Sequence, residues 1–455
     1  MPLILGTNSI KDTGYDVANS VRLNSGDSPN FTRTPGSASN RRTWTWSGWV
    51  KRSGLGSIQT LFNGSDGSYP EIFYFAADDT FIYHHDISGS DYKLISSQVF
   101  RDVSAWYHII VAKDTTQSTE TNRLKVYVNG SQITMNESAL GYPTQNYQGA
   151  INIDDVHIIG NWKTNSYYID GYLAEIAFID GSQLDATSFG EFNSDSPTIW
   201  QPIDISGLTF GTNGFYLDFE DSSDLGKDVS GNGNDYTANN LAATDQSTDT
   251  CTNNFATLNP LANLTGSPTY SEGNLKVTGD SSANNNWQTT FVVSSGKWYW
   301  ELKDLTSSPD GSLLFYDQSI SSGSHPGYGF VLNTKKKVIN GSPTGSAIGS
   351  SAQNDIWSMA LDLDNGKMFI ARNGTYLSSG DPANGTNPFI QTSDGLPSEG
   401  VFGGHIYNGS MELNFGSPSF SISSGNTDDN GYGNFEYDVP AGFYSLNTKN
   451  LAEFG

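Results

Sequence analysis

Hydrophobic and polar residues alternate along this chain with the period of strands rather than helices. The clearest run is Trp357, Met359, Leu361 and Leu363, interleaved with Ser358, Ala360 and Asp362. Side chains two apart share one face of a strand, so this run predicts a strand with one buried side. Asp364-Asn365-Gly366 follows, and Asn and Gly tolerate the positive φ of a tight turn. Met368 to Arg372 then returns as a second strand, and Asn373-Gly374 turns the chain again. A looser copy of this hairpin runs over 108–130 and closes at Asn129-Gly130.

The same pattern fills the rest of the chain in short pieces. Val21 to Leu23 reads as an opening strand, and Trp44, Trp46 and Gly48 share one face of the next. Two tryptophans on one strand face read as core, because each buries a large area. Pieces at 61–62, 72–75, 81–83, 106–112, 124–128, 156–160 and 168–178 are strand-like, and 184–192 predicts one or two turns of helix. From 269 onward the pattern resumes, with Trp298 and Trp300 on one face and Tyr299 and Glu301 on the other. Many short strands divided by turn residues predict an all-β fold of two jelly-roll-like β-sandwiches in series. The expected layout is a sandwich at 1–195 with its N-terminal segment, a Gly/Asn-rich connector at 196–265, and a second sandwich at 266–455.

Composition sharpens this picture in two places. Aromatics reach 13% although hydrophobic residues as a whole are only 36%, so Tyr, Phe and Trp must fill the sheet faces. The net charge of −25 is spread along the chain and excludes a nucleic acid partner, which needs a basic footprint. Lys335, Lys336 and Lys337 are the one basic run and read as a solvated hairpin end. With Cys251 as the single cysteine, no intrachain disulfide forms. No stretch approaches the length of a membrane span, so membrane insertion is not expected. The first residues have neither a basic start nor a long apolar run, which points to folding in a cytosol. The Ser, Thr, Asn and Gly-rich surface is that of a protein working outside cells, and a virion component meets both conditions.

Trp46-Ser47-Gly48-Trp49, the 106–111 and 124–130 strands, Ile159-Gly160 and the 168–178 strand occur in the order of a laminin-G-like domain. The resemblance spans about residues 20–195 and implies the concanavalin A-like lectin/glucanase fold. The 296–302 strand, Gly327-Tyr328-Gly329-Phe330, the 357–374 hairpin and the 411–416 strand resemble a SPRY domain over roughly 290–420. Asn354-Asp355 stands where that family usually has Gly-Asp. SPRY domains are binding modules without catalytic residues. The two together resemble tail-fibre and other surface proteins of tailed bacteriophages. That resemblance implies a tail-fibre-like adhesin made in the host cytoplasm and carried on the virion surface, on the tail or capsid exterior. Its implied partners are other virion proteins and a bacterial surface glycan. A homo-oligomer, a trimer by family analogy, is also implied, although no heptad run is present. The alternative is a capsid or tail decoration subunit that uses its sandwiches for assembly contacts.

Because the lectin fold also hosts glucanases, catalysis has to be tested on the residues. Retaining glycosidases need two carboxylates about 5–5.5 Å apart. Glu175 and Asp180 differ by five positions and so fall on opposite faces of a regular strand. Asp362 and Asp364 have the right parity but read as turn and solvent-face residues. There is no Gly-x-Ser-x-Gly elbow and no P-loop. Adjacent His84 and His85 point apart, and Cys251 has no partner for a metal site. No catalytic residue, cofactor or metal ligand is assigned. Asp228, Asn232 and Asn234 sit in a turn that resembles the Asp-x-Ser-Gly-x-Gly-Asn turn of lectin-like domains, and their oxygens suit Ca²⁺. The simpler reading is that they bond their own backbone.

Sugar sites combine exposed aromatics with Asn, Asp and Gln on loops over a rigid scaffold. The 160–168 loop fits best, with Trp162, Asn165 and Tyr167. Trp287 beside Asn286 and Gln288 is a second candidate, and Tyr69 and Tyr407-Asn408 are further ones. For each aromatic the competing reading is packing within its own domain.

Overall fold

In the computed structural model the described residues are 4, 9–66, 69–87, 90–163, 166–262, 264–281, 284–306, 310–317 and 325–455. They fold almost entirely as strands, with one α-helix at Thr448–Phe454 among them. The chain forms two compact units, residues 13–252 and residues 253–455 together with 1–12.

The N-terminal unit is a sandwich of two antiparallel sheets. One sheet runs in the order Ser131–Gln132, Leu124–Val128, Trp106–Asp114, Thr43–Arg52, Gly171–Asp180, Ser20–Leu23 and Gln246–Ser247. The other runs Met135–Ala139, Ser90–Val99, Thr80–Ile87, Tyr69–Phe75, Gln59–Asp66, His157–Ile159, Asn30–Arg33 and Thr237–Asn239. Alternation sends Trp44, Trp46 and Val50 inward, where they meet Phe62, Phe73 and Phe81 of the facing sheet. Trp46 packs edge-on to Phe73 with ring centres 5.0 Å apart.

Residues 196–252 were expected as a connector but supply strands to this unit. Phe215–Leu217 pairs with Gly171–Asp180, Thr237–Asn239 with Asn30–Arg33, and Gln246–Ser247 with Ser20–Leu23. Each is two or three residues long, too short for a two-residue period to show in the sequence. The helix expected over 184–192 is a 3-10 turn at Ala186–Ser188, and Gly190–Phe192 pairs with Trp200–Pro202 as strand.

This added segment also covers the outer face of the first sheet. Trp49, Trp106, Tyr172, Trp200, Phe210 and Tyr216 form a second apolar layer there. His108 lies buried within it, stacked on Trp49 at 4.6 Å. The Trp200 indole N–H donates to His108 Nδ1 at 2.8 Å, and an indole can only donate. The imidazole proton is therefore on Nε2, which donates to Ser47 Oγ at 2.8 Å. Burial pushes the His108 pKa down to about 3, so the ring is neutral.

The C-terminal unit is a second sandwich. Its larger sheet centres on Lys297–Asp304, Ile356–Asp362 and Lys367–Arg372, and its smaller sheet on Gly311–Tyr316 and Val401–Ile406. Trp298, Trp300, Trp357, Met359 and Leu361 point inward, as their alternation predicts. The 357–374 hairpin closes in register at Asp362 and Lys367. Asp362 departs from the expected solvent face. It is only 1% exposed, accepts from the Asn365 N–H at 3.0 Å, and pairs with Lys297 at 3.2 Å.

Candidate functional site

Three strands of the second sheet in the N-terminal unit place a mixed apolar and polar set on its outer face. The register sets Thr60 opposite Tyr74 and Asn63 opposite Ile72. It also sets Ile72 opposite His84, and Tyr74 opposite Ile82. Cross-strand partners point the same way, so these side chains share one face. Phe73, Phe81 and Tyr83 alternate with them and fill the core instead.

The loop after His157–Ile159 folds back against this face. Trp162 N–H donates to Ser166 O at 2.9 Å, and Ile169 N–H donates to Gly160 O at 2.9 Å, which closes the loop on itself. The loop is tied to the sheet by Thr60 N–H, which donates to Tyr167 O at 3.0 Å. Trp162 is half-buried and packs on Ile72, Tyr74 and Ile82. Its ring centre lies 6.4 Å from Tyr74 and 5.8 Å from Tyr167, the latter edge-on. Tyr167 is 45% exposed and adopts φ +59°, a left-handed conformation that the loop's own hydrogen bonds hold.

Polar atoms beside these rings lack partners. Asn161 is fully buried, and neither its Oδ1 nor its Nδ2 has a hydrogen-bond partner among the described residues. Asn63 Oδ1 and Thr60 Oγ1 are in the same state, although Asn63 Nδ2 donates to Asn161 O at 2.6 Å. Most buried polar groups are paired, and these atoms lie out of reach of bulk solvent, so such a cluster calls for a buried water. Nearby, His84 Nε2 contacts Asp91 Oδ1 at 2.7 Å, and Lys163 pairs with Asp155 at 2.8 Å. Stacking rings, amide groups and fixed charges are what a neutral polyhydroxylated ligand needs.

The structure thus brings Trp162 and Tyr167 together. Asn165 lies outside the described residues, and so does the side chain of Tyr69, the first residue of its strand. Trp287 is corrected. It is fully buried, edge-on to Trp300 at 6.2 Å in the core of the C-terminal unit, and offers no ring to a ligand. Its neighbours Asn286 and Gln288 are buried as well, so a polar sequence setting concealed a buried strand at the end of the smaller sheet. Tyr407 and Asn408 belong to the C-terminal unit, where Asn408 has φ +49° in the turn between Val401–Ile406 and Gly409–Asn414. Thr60, Asn63, Tyr74 and Asn161 were missed. Their signal was the register of Gln59–Asp66 against Tyr69–Phe75, which a single sequence does not display.

Asp228 has both carboxylate oxygens occupied by its own turn. Oδ1 accepts from the Tyr216 and Ser230 N–H groups at 2.9 Å, and Oδ2 accepts from Asn234 N–H at 2.8 Å and Ser230 Oγ at 2.9 Å. Asn232 and Asn234 donate through Nδ2 to the Gly214 carbonyl, at 2.9 and 2.7 Å. A polar cleft of about 510 Å³ adjoins this turn, lined by Arg33, Thr34, Asn234 and Asp235 among others. Arg33 is held by Asn234 Oδ1.

Three buried glutamates each serve a donor of their own. Glu71 accepts from Lys113 and Tyr83, Glu175 from Tyr216, and Glu301 from Asn414 and two backbone N–H groups. Asp180 accepts from Asn152 Nδ2 at 2.9 Å and Asn213 N–H at 3.0 Å. Among the described residues no group of three or more His, Cys, Asp or Glu side chains is placed to hold a metal ion.

Residues 24–186 match the family described as the concanavalin A-like lectin/glucanases superfamily. No curated protein matches the chain. Similar solved structures include the SPRY domain of human HERC1, at 13% identity and a TM-score of 0.26, covering 30% of this chain and 87% of that one. Another is a heptameric SAP-like pentraxin from Limulus polyphemus, at 16% identity and a TM-score of 0.27, covering 38% and 80%. A third is a Bacteroides ovatus ATCC 8483 protein put forward as carbohydrate binding, at 14% identity and a TM-score of 0.33. It covers 50% of this chain, which spans 59% of its length.

Proposed function

We propose that this chain binds glycans without catalysis, through the outer sheet face of its N-terminal unit. The observation that carries this reading is the exposed Tyr167 ring held edge-on to the half-buried Trp162 on that face. A sugar ring stacks on the aromatic surface that Tyr167 and Trp162 leave exposed. The lectin-type family match over 24–186 supports the same reading. Catalysis is set aside because the sequence has no nucleophile elbow or P-loop and Glu71, Glu175 and Glu301 are each engaged by donors of their own. The setting we propose is the exterior of a tailed-phage particle, where the protein acts as a tail-fibre-like adhesin, on the strength of the sequence resemblance.

Purified protein should adsorb to host cells and retain particular polysaccharides on a glycan array. Trp162→Ala with Tyr167→Ala should lower the retained signal by at least about tenfold at unchanged fold, on the scale of losing one stacked ring. Release of reducing ends from a retained polysaccharide would overturn the non-catalytic reading. Unchanged retention by the double variant would overturn the site. Antibody labelling of purified particles tests the setting.

A further inference from the structure

The larger sheet of the C-terminal unit has an outer face that is only partly covered. Register carries Glu301, Ser358, Ala371 and Tyr376 across four adjacent strands in one row on that face. Tyr299, two residues from Glu301, points the same way and packs on Phe435 at 5.1 Å. The 435–440 segment crosses above this row and is fastened to it. Glu301 Oε2 accepts from the Glu436 N–H at 3.0 Å, and Oε1 accepts from the Tyr437 N–H at 2.9 Å. Between that segment and the 380–383 turn lies a pocket of about 340 Å³.

The lining has an unusual balance. Tyr299, Tyr376 and Tyr437 supply three rings, Pro382, Pro440 and the alanines supply apolar wall, and Asp381 and Asp438 supply carboxylates. None of the lining residues is Lys, Arg, Asn or Gln. Tyr376 and Tyr437 make no side-chain hydrogen bond to a described residue, and no lysine or arginine among those residues lies over either ring. The Tyr299 hydroxyl is committed, 3.1 Å from Glu301 Oε1 and 3.0 Å from Ser358 Oγ. The Asn384 backbone N–H and side-chain amide hold Asp381 at 3.1 and 2.8 Å and lower its pKa, so it stays ionised. The wall is preformed, because Gly374 has φ +76° and a Cβ there would stand 2.7 Å from Tyr437 Cδ1.

We propose that this pocket binds a quaternary ammonium group of the choline type. Electron-rich ring faces attract a cation, and the attraction grows where water is excluded. A primary ammonium needs N–H acceptors on several sides and is costly to desolvate, whereas methylated nitrogen fits apolar walls. A sugar needs several donors as well as acceptors, and this lining offers side-chain donors only through the tyrosine hydroxyls and Ser358 Oγ. The inference is independent of the glycan reading and concerns the other unit.

The test is a proton NMR titration of choline against the full chain, with 3,3-dimethyl-1-butanol as the neutral compound of the same shape. The choline methyl signal should move upfield over the rings, with affinity about tenfold above that of the neutral compound. Tyr437→Leu should remove the shift. Asp438→Lys, at an exposed position, sets a competing ammonium at the mouth and should remove it without disturbing the fold. Equal binding of the neutral compound would overturn the proposal. So would the absence of a shift, or wild-type titration of both folded variants.

Discussion

Lys113 and Glu71 form an ion pair between the two sheets of the N-terminal unit, and neither side chain reaches solvent. Lys113 extends from Trp106–Asp114 and Glu71 from the facing Tyr69–Phe75. Glu71 also accepts from the Tyr83 hydroxyl at 2.6 Å and from the Ile151 N–H at 3.0 Å. Burial alone would raise the Glu71 pKa, but Lys113, His85 and these hydrogen bonds bring it down to about 2. Removing one member leaves the other charged and unpaired in the core. Lys113→Met should therefore destabilise the unit by about 3–5 kcal/mol. Adding Glu71→Gln should recover most of that loss, and urea unfolding of the single and double variants measures both. The acid side follows from the same pKa. Glu71 contributes stability above its unfolded value of 4.5, and that contribution is lost as pH falls from there toward 2.

The Asp228 turn leads to a prediction about calcium. Both Asp228 oxygens are filled by the N–H and hydroxyl groups of the protein itself. A cation would have to displace these donors, and the turn would gain little. Melting curves recorded in excess Ca²⁺ and in chelator should superimpose. Asp228→Ala leaves those donors without acceptors and should lower stability by about 1–3 kcal/mol. A melting temperature that rises with Ca²⁺ concentration would refute this account.

The two sandwiches were legible in the sequence because their long strands carry a clean two-residue period, as in Trp298 and Trp300 against Tyr299 and Glu301. The boundary at 252 was not, because Phe215–Leu217 and Gln246–Ser247 are recruited by pairing partners about 40 and over 200 residues away. The site was half legible. Trp162 and Tyr167 stood out as aromatics in a polar loop, and the loop closes on itself. Trp287 looked the same by that rule, with Asn and Gln on both sides. Its burial is decided by Val401–Ile406, whose Gly404 lies across from it and leaves room for the indole. Tertiary register, absent from any local window, separates the two tryptophans.

That separation can be measured. Trp287→Phe removes volume from a closed core and should cost about 1–3 kcal/mol while leaving glycan retention unchanged. Trp162→Phe keeps a ring in a half-buried position and should cost little stability, yet shift retention because the stacking surface shrinks. Thermal melting paired with array binding gives both values for each variant. Loss of retention in the Trp287 variant at a temperature where it is fully folded would mean that this tryptophan acts on the ligand after all.

Glu175 gives the N-terminal unit a pH dependence of opposite sign to that of Glu71. The strand Gly171–Asp180 shifts register between Ala174 and Ala177, and Glu175 takes φ +52° at that irregularity. The extra residue turns Glu175 toward the covered outer layer, where the Tyr216 hydroxyl donates to it and Tyr15 lies 3.4 Å beyond. Burial raises the Glu175 pKa to about 8, only partly offset by Tyr216, with Asp218, Glu220 and Asp204 adding to the rise. The folded state thus holds a proton that the unfolded chain releases near 4.5. Its contribution to stability is complete below pH 4.5, declines as pH rises toward 8, and is gone above that. At about 1.4 kcal/mol per pKa unit the full span amounts to a few kcal/mol. Glu175→Gln keeps the shape and the bond to Tyr216 without the charge, so it should match wild type at acidic pH and exceed it increasingly toward pH 8. Urea midpoints measured across that interval distinguish the two, and parallel curves would show that Glu175 is already ionised in the folded state.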